Sequence, residues 1–510
     1  MNAVLPGAPA VANRYAGLPA NFYTRLPPTP LTRPRLLHAN EDAARLLGVD
    51  VQALFRPEWV EVLSGGAELP GGVSLATVYS GHQFGVWAGQ LGDGRAHLLG
   101  EIAGPRGNWE LQLKGSGLTP YSRMGDGRAV IRSSVREYLA SEAMHGLGIP
   151  TTRALSIVVA DDPVYRETVE RAAVVARVAP SFIRFGTFEH WARQPQALQQ
   201  LFDFTVDNYF PELRERSGEG ASPAPVVPAV LTQVQREAYS GPQAVVQRFL
   251  HEVTARSARL VAAWQTVGFC HGVMNTDNMS ILGLTLDYGP YGFMDGFRIN
   301  HVCNHTDTQG RYAWHVQPAV VHWNLCRLAE SLLPLGMEVE QAQQVLGHFE
   351  SEFLGAFRGR LQAKLGLPDW RADDDKLVDD WWRLLHDQQA DFTLSFRRLS
   401  QAPHADAGFL SLFADDAPAR EWLARYRERV GEQAWKDAER LAGMDAANPL
   451  YVLRNYLAEQ AIRAAERDEA GDIDVLMRLL RAPFTEQPGA EAYARPAPDW
   501  ARELSVSCSS

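Results

Sequence analysis

The stretch HGVMNTDNMSILGLTLDYG, residues 271–289, decides the fold because it places two polar clusters on either side of a short apolar run. The first cluster ends in Asp277 and Asn278, and the second opens with Asp287. The runs MSIL and LTL between them favour a tight hairpin. Carboxylate and amide oxygens at two points of a hairpin suit a nucleotide-bound Mg²⁺, since phosphates and water complete its shell. The stretch therefore predicts a metal site for phosphate-group transfer.

The spacing within this stretch resembles the catalytic loop and metal-binding aspartate of protein kinases, with one difference. A kinase loop reads H-R-D-x-x-x-x-N, in which the aspartate is the catalytic base and the asparagine binds metal. Here His271 and Asn278 keep the outer positions, but Val273 stands where the base would be. Because a valine cannot accept a proton, Asp277 is the nearest carboxylate that could orient or deprotonate a nucleophile.

Composition sets the class of protein. The chain has 510 residues, of which 46% are hydrophobic and 21% charged, so we expect a globular protein of about two to four structural units. An excess of 60 acidic over 49 basic side chains gives a net charge of −11, which disfavours binding to nucleic acid or to an anionic membrane. With four cysteines, no signal-like start and no long apolar run, a cytoplasmic setting is expected.

Short apolar runs separated by turn signals predict one antiparallel sheet between about residues 95 and 180. The runs are AHLLGEI, WELQL, ALSIVVA and AAVVARVA. A helix over roughly residues 128–145, which ends before Gly148 and Pro150, interrupts them. After about residue 181 the pattern is mainly helical. The sequence thus predicts an α+β fold with a small antiparallel-sheet lobe that carries one key helix and a large, mainly helical lobe.

We divide the chain into five predicted parts. They are an N-terminal extension packed on the lobes (1–90), the sheet lobe (91–180), the helical lobe with the catalytic and metal loops (181–330), a C-terminal helical region (331–485) and a mobile tail with Cys508 (486–510). Within the first part, Asn40 is expected to cap the helix NEDAARLLGV. Long helical patterns are predicted over residues 338–364, 376–398, 417–443 and 448–481, and a loop over residues 218–230.

Four charged side chains are candidates for a polyphosphate-binding site. Lys114 ends the run WELQL, and Glu137 stands about two turns into the following helix. Kinases hold an ammonium against nucleotide phosphates with such a strand lysine and helix glutamate, although separate residues of this kind more often form a surface pair. Arg177 and Arg184 flank the crossing between the lobes, where both could bind one polyphosphate end or, equally, form surface salt bridges.

Two glycine-rich segments are candidates for nucleotide contact. In Gly92-Asp93-Gly94-Arg95 the glycines would let the backbone approach a phosphate and the arginine would supply charge, but the segment also suits an ordinary hairpin turn. Asp126 and Gly127 end the loop LTPYSRMGDG, which either closes over a nucleotide or forms a helix-entry turn.

The segment HVCNH raises two further hypotheses. In an extended strand His301, Cys303 and His305 would share one face, as zinc ligands do, but no fourth ligand is near in the sequence. Alternatively, Cys303 forms a reversible disulfide with Cys508 that ties the tail over the active site.

Four segments together make the chain similar to the selenoprotein O family over nearly its entire length. They are YSGHQFGVWAGQLGDGR, ELQLKGSGLTPYSRMGDGRAVIRSSVREYL, FCHGVMNTDNMSILGLTLDYGPYGFMD and the terminal Cys508-Ser509-Ser510. Members of that family have a protein-kinase-like bilobal fold that lacks the usual base. They transfer AMP from ATP to hydroxyl side chains of proteins, and transfer of UMP from UTP is attributed to some members. Some members carry selenocysteine where this chain has Cys508.

The resemblance implies that ATP lies reversed relative to a kinase, so that its α-phosphate faces the acceptor hydroxyl. It implies that Asp277 is the proton acceptor and that Asn278 and Asp287 bind Mg²⁺ or Mn²⁺. The implied nucleotide-binding residues are Gly92, Gly94, Arg95, Lys114, Asp126, Gly127, Glu137, Arg177, Arg184 and Asp287. The implied partners are ATP or UTP and protein substrates with Ser, Thr or Tyr hydroxyls, and we expect a monomer.

Two other functions stay open at the level of the sequence. One is an ordinary kinase that moves the γ-phosphate, against which Val273 argues. The other is an inactive scaffold that binds nucleotide, against which the complete set of Asp277, Asn278 and Asp287 argues.

Overall fold

The computed structural model describes residues 5, 7, 10–214, 227–402, 406–431, 438–504 and 506. Its first lobe is built on an antiparallel sheet to which ten strands of the described chain contribute. The strands are β1 (Val11–Ala12), β2 (Tyr23–Arg25), β3 (Arg35–Ala39), β4 (Leu75–Gln83), β5 (Val86–Gly92), β6 (Ala96–Gly104), β7 (Gly107–Lys114), β8 (Ala129–Val130), β9 (Arg153–Tyr165) and β10 (Val169–Ala179). Their order is β2-β4-β6-β7-β10-β9-β3, with β1 paired to β6, β5 to β4 and β8 to β10.

The four strand runs read from the sequence are confirmed as β6, β7, β9 and β10. The sheet is larger than predicted, because β1 to β5 extend it from the segment expected to be a packed extension. The predicted boundary between residues 90 and 91 falls inside β5. Both β4 and β5 contain glycine and polar residues that interrupt a strand pattern, which explains why the sequence did not reveal them. The five-part division stays a prediction.

Seventeen α-helices lie within the described ranges, and all but three follow the sheet. They are α1 (Glu41–Leu46), α2 (Pro57–Ser64), α3 (Ile131–Gly146), α4 (Phe185–Trp191), α5 (Pro195–Tyr209), α6 (Gln233–Glu237), α7 (Ala244–Thr266), α8 (Gln317–Leu332), α9 (Val339–Leu346), α10 (His348–Leu365), α11 (Asp374–Gln388), α12 (Phe392–Leu399), α13 (Ala407–Leu410), α14 (Ala417–Val430), α15 (Ala438–Ala447), α16 (Asn455–Ala465) and α17 (Gly471–Arg481). The predicted α+β fold with a sheet lobe and a helical lobe is therefore confirmed. None of the helices in the described ranges is long and apolar enough to cross a membrane.

Local signals place several helix ends. Asn40 caps α1, since its side-chain oxygen accepts hydrogen bonds from the backbone N–H groups of Asp42 and Ala43. The helix α3 begins at Ile131, later than predicted, because residues 129–130 form β8 against β10. Each of the four long helical patterns predicted in the C-terminal half is divided into shorter helices. Of the loop predicted over residues 218–230, residues 218–226 lie outside the described part of the chain.

The lobes join where β10 ends at Ala179 and α4 begins at Phe185. Glu110 of β7 ties this crossing to both lobes, because its carboxyl group accepts hydrogen bonds from the Phe182 N–H (2.8 Å) and from the Tyr209 hydroxyl (3.2 Å). Burial raises the pKa of Glu110 to about 8.

The C-terminal helices α16 and α17 pack against α3 of the sheet lobe. A Cβ atom on Gly146, at the end of α3, would collide with the carbonyl oxygen of Leu480, so only glycine fits this contact. Arg481 donates to the side-chain oxygen of Asn40 over 2.7 Å, and Nε2 of His38 lies 2.9 Å from the carboxylate of Asp474. The end of the chain thereby returns to the lobe in which the chain began.

Candidate active site

A cleft of about 510 Å³ lies between the lobes and contains nearly all the residues proposed from the sequence. The predicted site residues that line it are Gly92, Gly94, Arg95, Lys114, Asp126, Gly127, Arg177, Arg184, Asp277, Asn278 and Asp287. Glu137 is not on the wall but lies directly behind Lys114, with 2.6 Å between its Oε2 and the lysine Nζ. The fold thus brings together residues that lie far apart in the sequence.

A buried cluster of opposite charges forms the back of the cleft. Arg177 Nη1 lies 2.9 Å from Oε1 of Glu137 and 2.7 Å from Oδ1 of Asp287. Arg184 binds the other oxygen of Asp287, and the Lys114 ammonium lies 3.6 Å from Oδ1. Burial alone would raise the pKa of Asp287, but the charges of Arg184, Arg177 and Lys114 hold it well below its usual range. Asp287 is therefore an ionised carboxylate that three cations surround.

Backbone register explains why Arg177 points into this cluster. It stands opposite Gln112 in the β7–β10 ladder, and the Gln112 side-chain oxygen accepts from its Nε (2.9 Å) and Nη2 (2.6 Å). With Glu137 and Asp287 on Nη1, the planar guanidinium is held from several directions. Sequence reasoning missed Gln112, although it lies two residues before Lys114 on the same strand and therefore faces the same side of the sheet.

Asp277, the predicted base, lies in a short 3₁₀ turn formed by Thr276–Asn278. The Gln83 side-chain amide donates to its Oδ2 over 3.1 Å, while Oδ1 is buried and accepts no hydrogen bond from the described residues. Burial raises the pKa of Asp277 to about 6. One carboxylate oxygen is therefore positioned by Gln83, and the other lies buried close to Gly81.

A hydrogen-bond network behind the turn fixes its position. The Thr276 hydroxyl donates to Oε2 of Glu189 and accepts from the His82 backbone N–H over 2.7 Å. Nδ1 of His82 lies 2.5 Å from Oε1 of Glu189. Sequence reasoning missed all three residues. His82 lies in the segment YSGHQFG, but a single sequence does not indicate which residue of the distant loop it contacts.

The side-chain oxygens of Asn278 and Asp287 suit a hard divalent cation. Asn278 donates its amide N–H to the Val273 carbonyl (2.9 Å), which fixes the side chain and leaves its oxygen as the acceptor. The two carboxylate oxygens of Asp287 pair with Arg177 and Arg184, so a cation at this place would share the carboxylate with these arginines or replace them. Carboxylate and amide oxygens are the ligands such a cation prefers.

The zinc hypothesis for HVCNH is wrong. Residues 301–305 form no strand, so the three side chains do not share a face. The Cys303 thiol donates to the Pro290 carbonyl over 2.9 Å, whereas Nδ1 of His305 lies 2.8 Å from the carbonyl oxygen of Val506. Within the described part of the chain, no group of three or more His, Cys, Asp or Glu residues could hold a metal ion.

Cys508 lies outside the described residues. The nearby Val506 forms a parallel bridge with Asn304, next to Cys303. Val506 thus lies beside the segment that carries the proposed partner thiol, and the disulfide stays a hypothesis.

The two glycine-rich segments form turns at the cleft. Gly92 ends β5, and Asp93 is buried with its carboxylate accepting from the backbone N–H (3.0 Å) and hydroxyl (2.7 Å) of Thr77. Asp126 pairs with Arg166 at 2.7 Å, and this ion pair fixes the end of the loop LTPYSRMGDG. Both segments therefore have the structural role of a turn and also face the cleft.

Comparison with known proteins identifies the chain. A model described as "Protein adenylyltransferase SelO" matches residues 9–482. The chain belongs to the SelO family. It is 62% identical to the protein nucleotidyltransferase YdiU of Bordetella petrii, over 98% of both chains. It is also 47% identical to the YdiU protein of Dechloromonas aromatica, over 98% of both chains. A third YdiU protein, from Cupriavidus pinatubonensis, is 49% identical over 97% of this chain and 94% of that protein.

Membership of the SelO family confirms the resemblance read from the sequence, together with the kinase-like fold class. This SelO-family chain is a nucleotidyltransferase, so a nucleotide is its substrate.

Proposed function

We propose that the chain transfers AMP from ATP to Ser, Thr or Tyr hydroxyls of proteins and releases pyrophosphate. The observation that carries the proposal is the arrangement around Asp277. This carboxylate lies beside Asn278 at the cleft, whereas the position of the kinase base is taken by Val273, which also lines the cleft. A carboxylate at this place serves an acceptor that approaches the α-phosphate of a reversed nucleotide.

In the proposed reaction the acceptor oxygen forms a bond to the α-phosphorus as the bond from that phosphorus to pyrophosphate breaks. Asp277 accepts the hydroxyl proton, and Gln83 keeps the carboxylate turned toward the cleft. Arg177, Arg184 and Lys114 stabilise the charge on the departing pyrophosphate. The residues supply position and charge and form no covalent intermediate.

Asn278 and Asp287 are the proposed ligands for Mg²⁺ or Mn²⁺. Such a cation would supply charge neutralisation on the phosphates. In the cleft, Asp287 pairs with Arg177 and Arg184. Binding therefore exchanges partners: the phosphates take the two arginines, and the carboxylate is released for the cation.

The other nucleotide contacts are proposed from position. Gly92, Gly94, Arg95, Asp126 and Gly127 line the wall of the cleft formed by the sheet lobe. A Cβ atom on Gly94 would lie 2.8 Å from the Tyr121 carbonyl oxygen, so a larger residue would displace this wall. Glu137 acts through Lys114, which it holds at 2.6 Å.

The deciding experiment uses ATP labelled at either the α- or the γ-phosphate, with Mg²⁺ or Mn²⁺ and a mixture of proteins. Transfer of the α-label alone is expected. Transfer of the γ-label alone would show a kinase, and binding of ATP without transfer of either label would show a scaffold. Asp277→Asn is the matched variant, because it keeps the shape of the side chain but cannot accept the proton. It should bind ATP and fail to transfer.

Three further properties belong to the proposal. Replacing ATP with α-labelled UTP in the same assay tests whether UMP is also transferred. We propose that the chain acts as a monomer, which sedimentation velocity would test. We propose a cytoplasmic setting, which fractionation of the source cell would test; the described cysteines 270, 303 and 326 are all free thiols.

A further inference from the structure

We propose that the tip of the β4–β5 hairpin, residues 83–87, is the surface on which the acceptor polypeptide docks. This surface would favour a Ser, Thr or Tyr residue whose neighbour in the acceptor sequence has an apolar side chain. This inference rests on the proposed function and deepens it by naming the chemistry of the acceptor.

The hairpin tip and the predicted base form one unit. Gln83 donates to the Asp277 carboxylate (3.1 Å), and the backbone N–H of Phe84 donates to the Asn275 side-chain oxygen (3.1 Å) and to the Tyr312 hydroxyl (3.0 Å). A Cβ atom on Gly81 would lie 2.9 Å from Oδ1 of Asp277, so the strand approaches the base closely. A segment bound on the tip is thereby placed beside the group that takes its proton.

The tip exposes apolar side chains that a soluble protein usually covers. Val86 is 70% exposed, Trp87 49% and Phe84 39%. Within the described residues β5 pairs only with β4, so its outer edge offers backbone groups to an extended segment. Exposed apolar side chains beside an unpaired strand edge favour an interaction surface, and the tip adjoins the cleft because Phe84 also lines it.

The turn itself favours a binding role for Phe84. Gln83 and Val86 are paired across a two-residue loop, with φ of 50° at Phe84 and 82° at Gly85. Such turns require positive φ at both central residues, and asparagine or glycine suits the first position far better than a bulky aromatic. The unfavourable backbone conformation at Phe84 thus places an aromatic ring at the mouth of the cleft.

A nearby cation suggests a second feature of the acceptor. The guanidinium of Arg311 lies against Gly85 and 4.9 Å from the ring centroid of Trp323, and it forms no ion pair with any described residue. A carboxylate on the docked segment would complement it. The proposed occupant is therefore an extended segment of another protein, with an aliphatic or aromatic residue beside the hydroxyl and an acidic residue close by.

The test uses a peptide array and α-labelled ATP. Each peptide carries one Ser, Thr or Tyr, flanked by Leu or Phe in one set and by Gly in the other, with and without a neighbouring Glu. The wild type should label the apolar set about tenfold more strongly, which is the scale of one apolar contact. Trp87→Ala and Val86→Ser should remove most of this preference, and Arg311→Gln should remove the effect of Glu.

Matched controls are exposed residues of the same type elsewhere. Trp500 is 42% exposed on the C-terminal segment and Val234 is 77% exposed on α6. Trp500→Ala and Val234→Ser should leave the preference unchanged. Phe84→Asn provides a variant that favours the turn: its melting temperature should not fall, whereas its preference for apolar flanks should.

The outcomes separate this inference from the proposed function. If the wild type transfers no α-label to any peptide or protein, the proposed function fails and the inference fails with it. If transfer occurs with the same preference in wild type and Trp87→Ala, only the docking surface is overturned. A change from dimer to monomer in Trp87→Ala, with the preference unchanged, would assign the tip to contacts between copies and would also overturn it.

Discussion

Arg177 and Asp287 form an ion pair in the cleft, with 2.7 Å between Nη1 of the guanidinium and Oδ1 of the carboxylate. The pair joins a proposed phosphate-binding group to a proposed metal ligand. Because both are buried, each needs a partner whether or not nucleotide is present. The pair thereby helps to hold the back of the cleft together.

Asp287→Ala should lower the rate of transfer by about 10²-fold or more, because it removes a proposed metal ligand. It should also lower the free energy of unfolding by about 3 kcal/mol, since Arg177, Arg184 and Lys114 lose a shared counter-ion. ATP without metal should then raise the melting temperature of the variant more than that of the wild type, because phosphates replace the missing carboxylate. Calorimetry with and without ATP checks this, and an equal rise in both proteins would contradict the exchange of partners.

Thr276→Val should lower transfer by about 10- to 100-fold while leaving ATP affinity unchanged. The substitution removes the hydroxyl that links Glu189 to the His82 backbone, so the turn that carries Asp277 shifts. The control is Thr205→Val on α5, where the hydroxyl is buried and has no hydrogen-bond partner among the described residues. That variant should keep full activity. Measured turnover and ATP binding distinguish the two, and normal turnover in Thr276→Val would show that the network does not position the base.

Glu110 should make stability depend on pH. Its pKa is raised by burial from 4.5 to about 8, so the folded chain keeps a proton that the unfolded chain loses. Between about pH 4.5 and 8 the folded state therefore binds more protons, and stability falls as pH rises, by up to about 1.4 kcal/mol per pH unit from this group. Glu110→Gln stays neutral and should reduce this decline. Urea unfolding at pH 5, 6.5 and 8 measures it, and parallel curves for both proteins would contradict the assignment.

The disulfide hypothesis predicts that oxidation removes two free thiols from the chain. Cys508→Ser or Cys303→Ser should prevent this loss and make transfer insensitive to oxidant, because neither residue alone can form the bond. Cys326→Ser is the control, since Cys326 is a half-buried thiol on α8. Thiol counting by mass spectrometry before and after oxidation gives the result. Oxidant sensitivity that persists in Cys508→Ser would refute the hypothesis.

Local patterns predicted much of the fold and part of the site. The strands β6, β7, β9 and β10 contain short, mainly apolar runs between turn signals, and α3 has helical spacing, so these elements could be read directly. Lys114 and Glu137 could be paired because their order matches that of kinases. The helical lobe was also evident from its spacing.

The remaining parts depend on contacts that a single sequence does not encode in an obvious way. The Gln112–Arg177 hydrogen bond spans 65 positions, and that between His82 and Thr276 spans 194. The strands β4 and β5 are mixed in polarity, and most of β5 is exposed, so their pattern does not resemble that of a buried strand. The direct pairing of Asp287 with the arginines follows from tertiary proximity alone.

The packing of α16 and α17 on α3 has a consequence for the order in which the enzyme is made. α3 carries Glu137, and one of its sides stays bare until residues 455–481 have been synthesised. A chain synthesised only as far as residue 454 thus has every residue of the cleft but lacks two helices that pack on the helix carrying Glu137. Although the residues of the site are synthesised before residue 300, we expect the site to become competent only after residues 455–481 have folded onto α3.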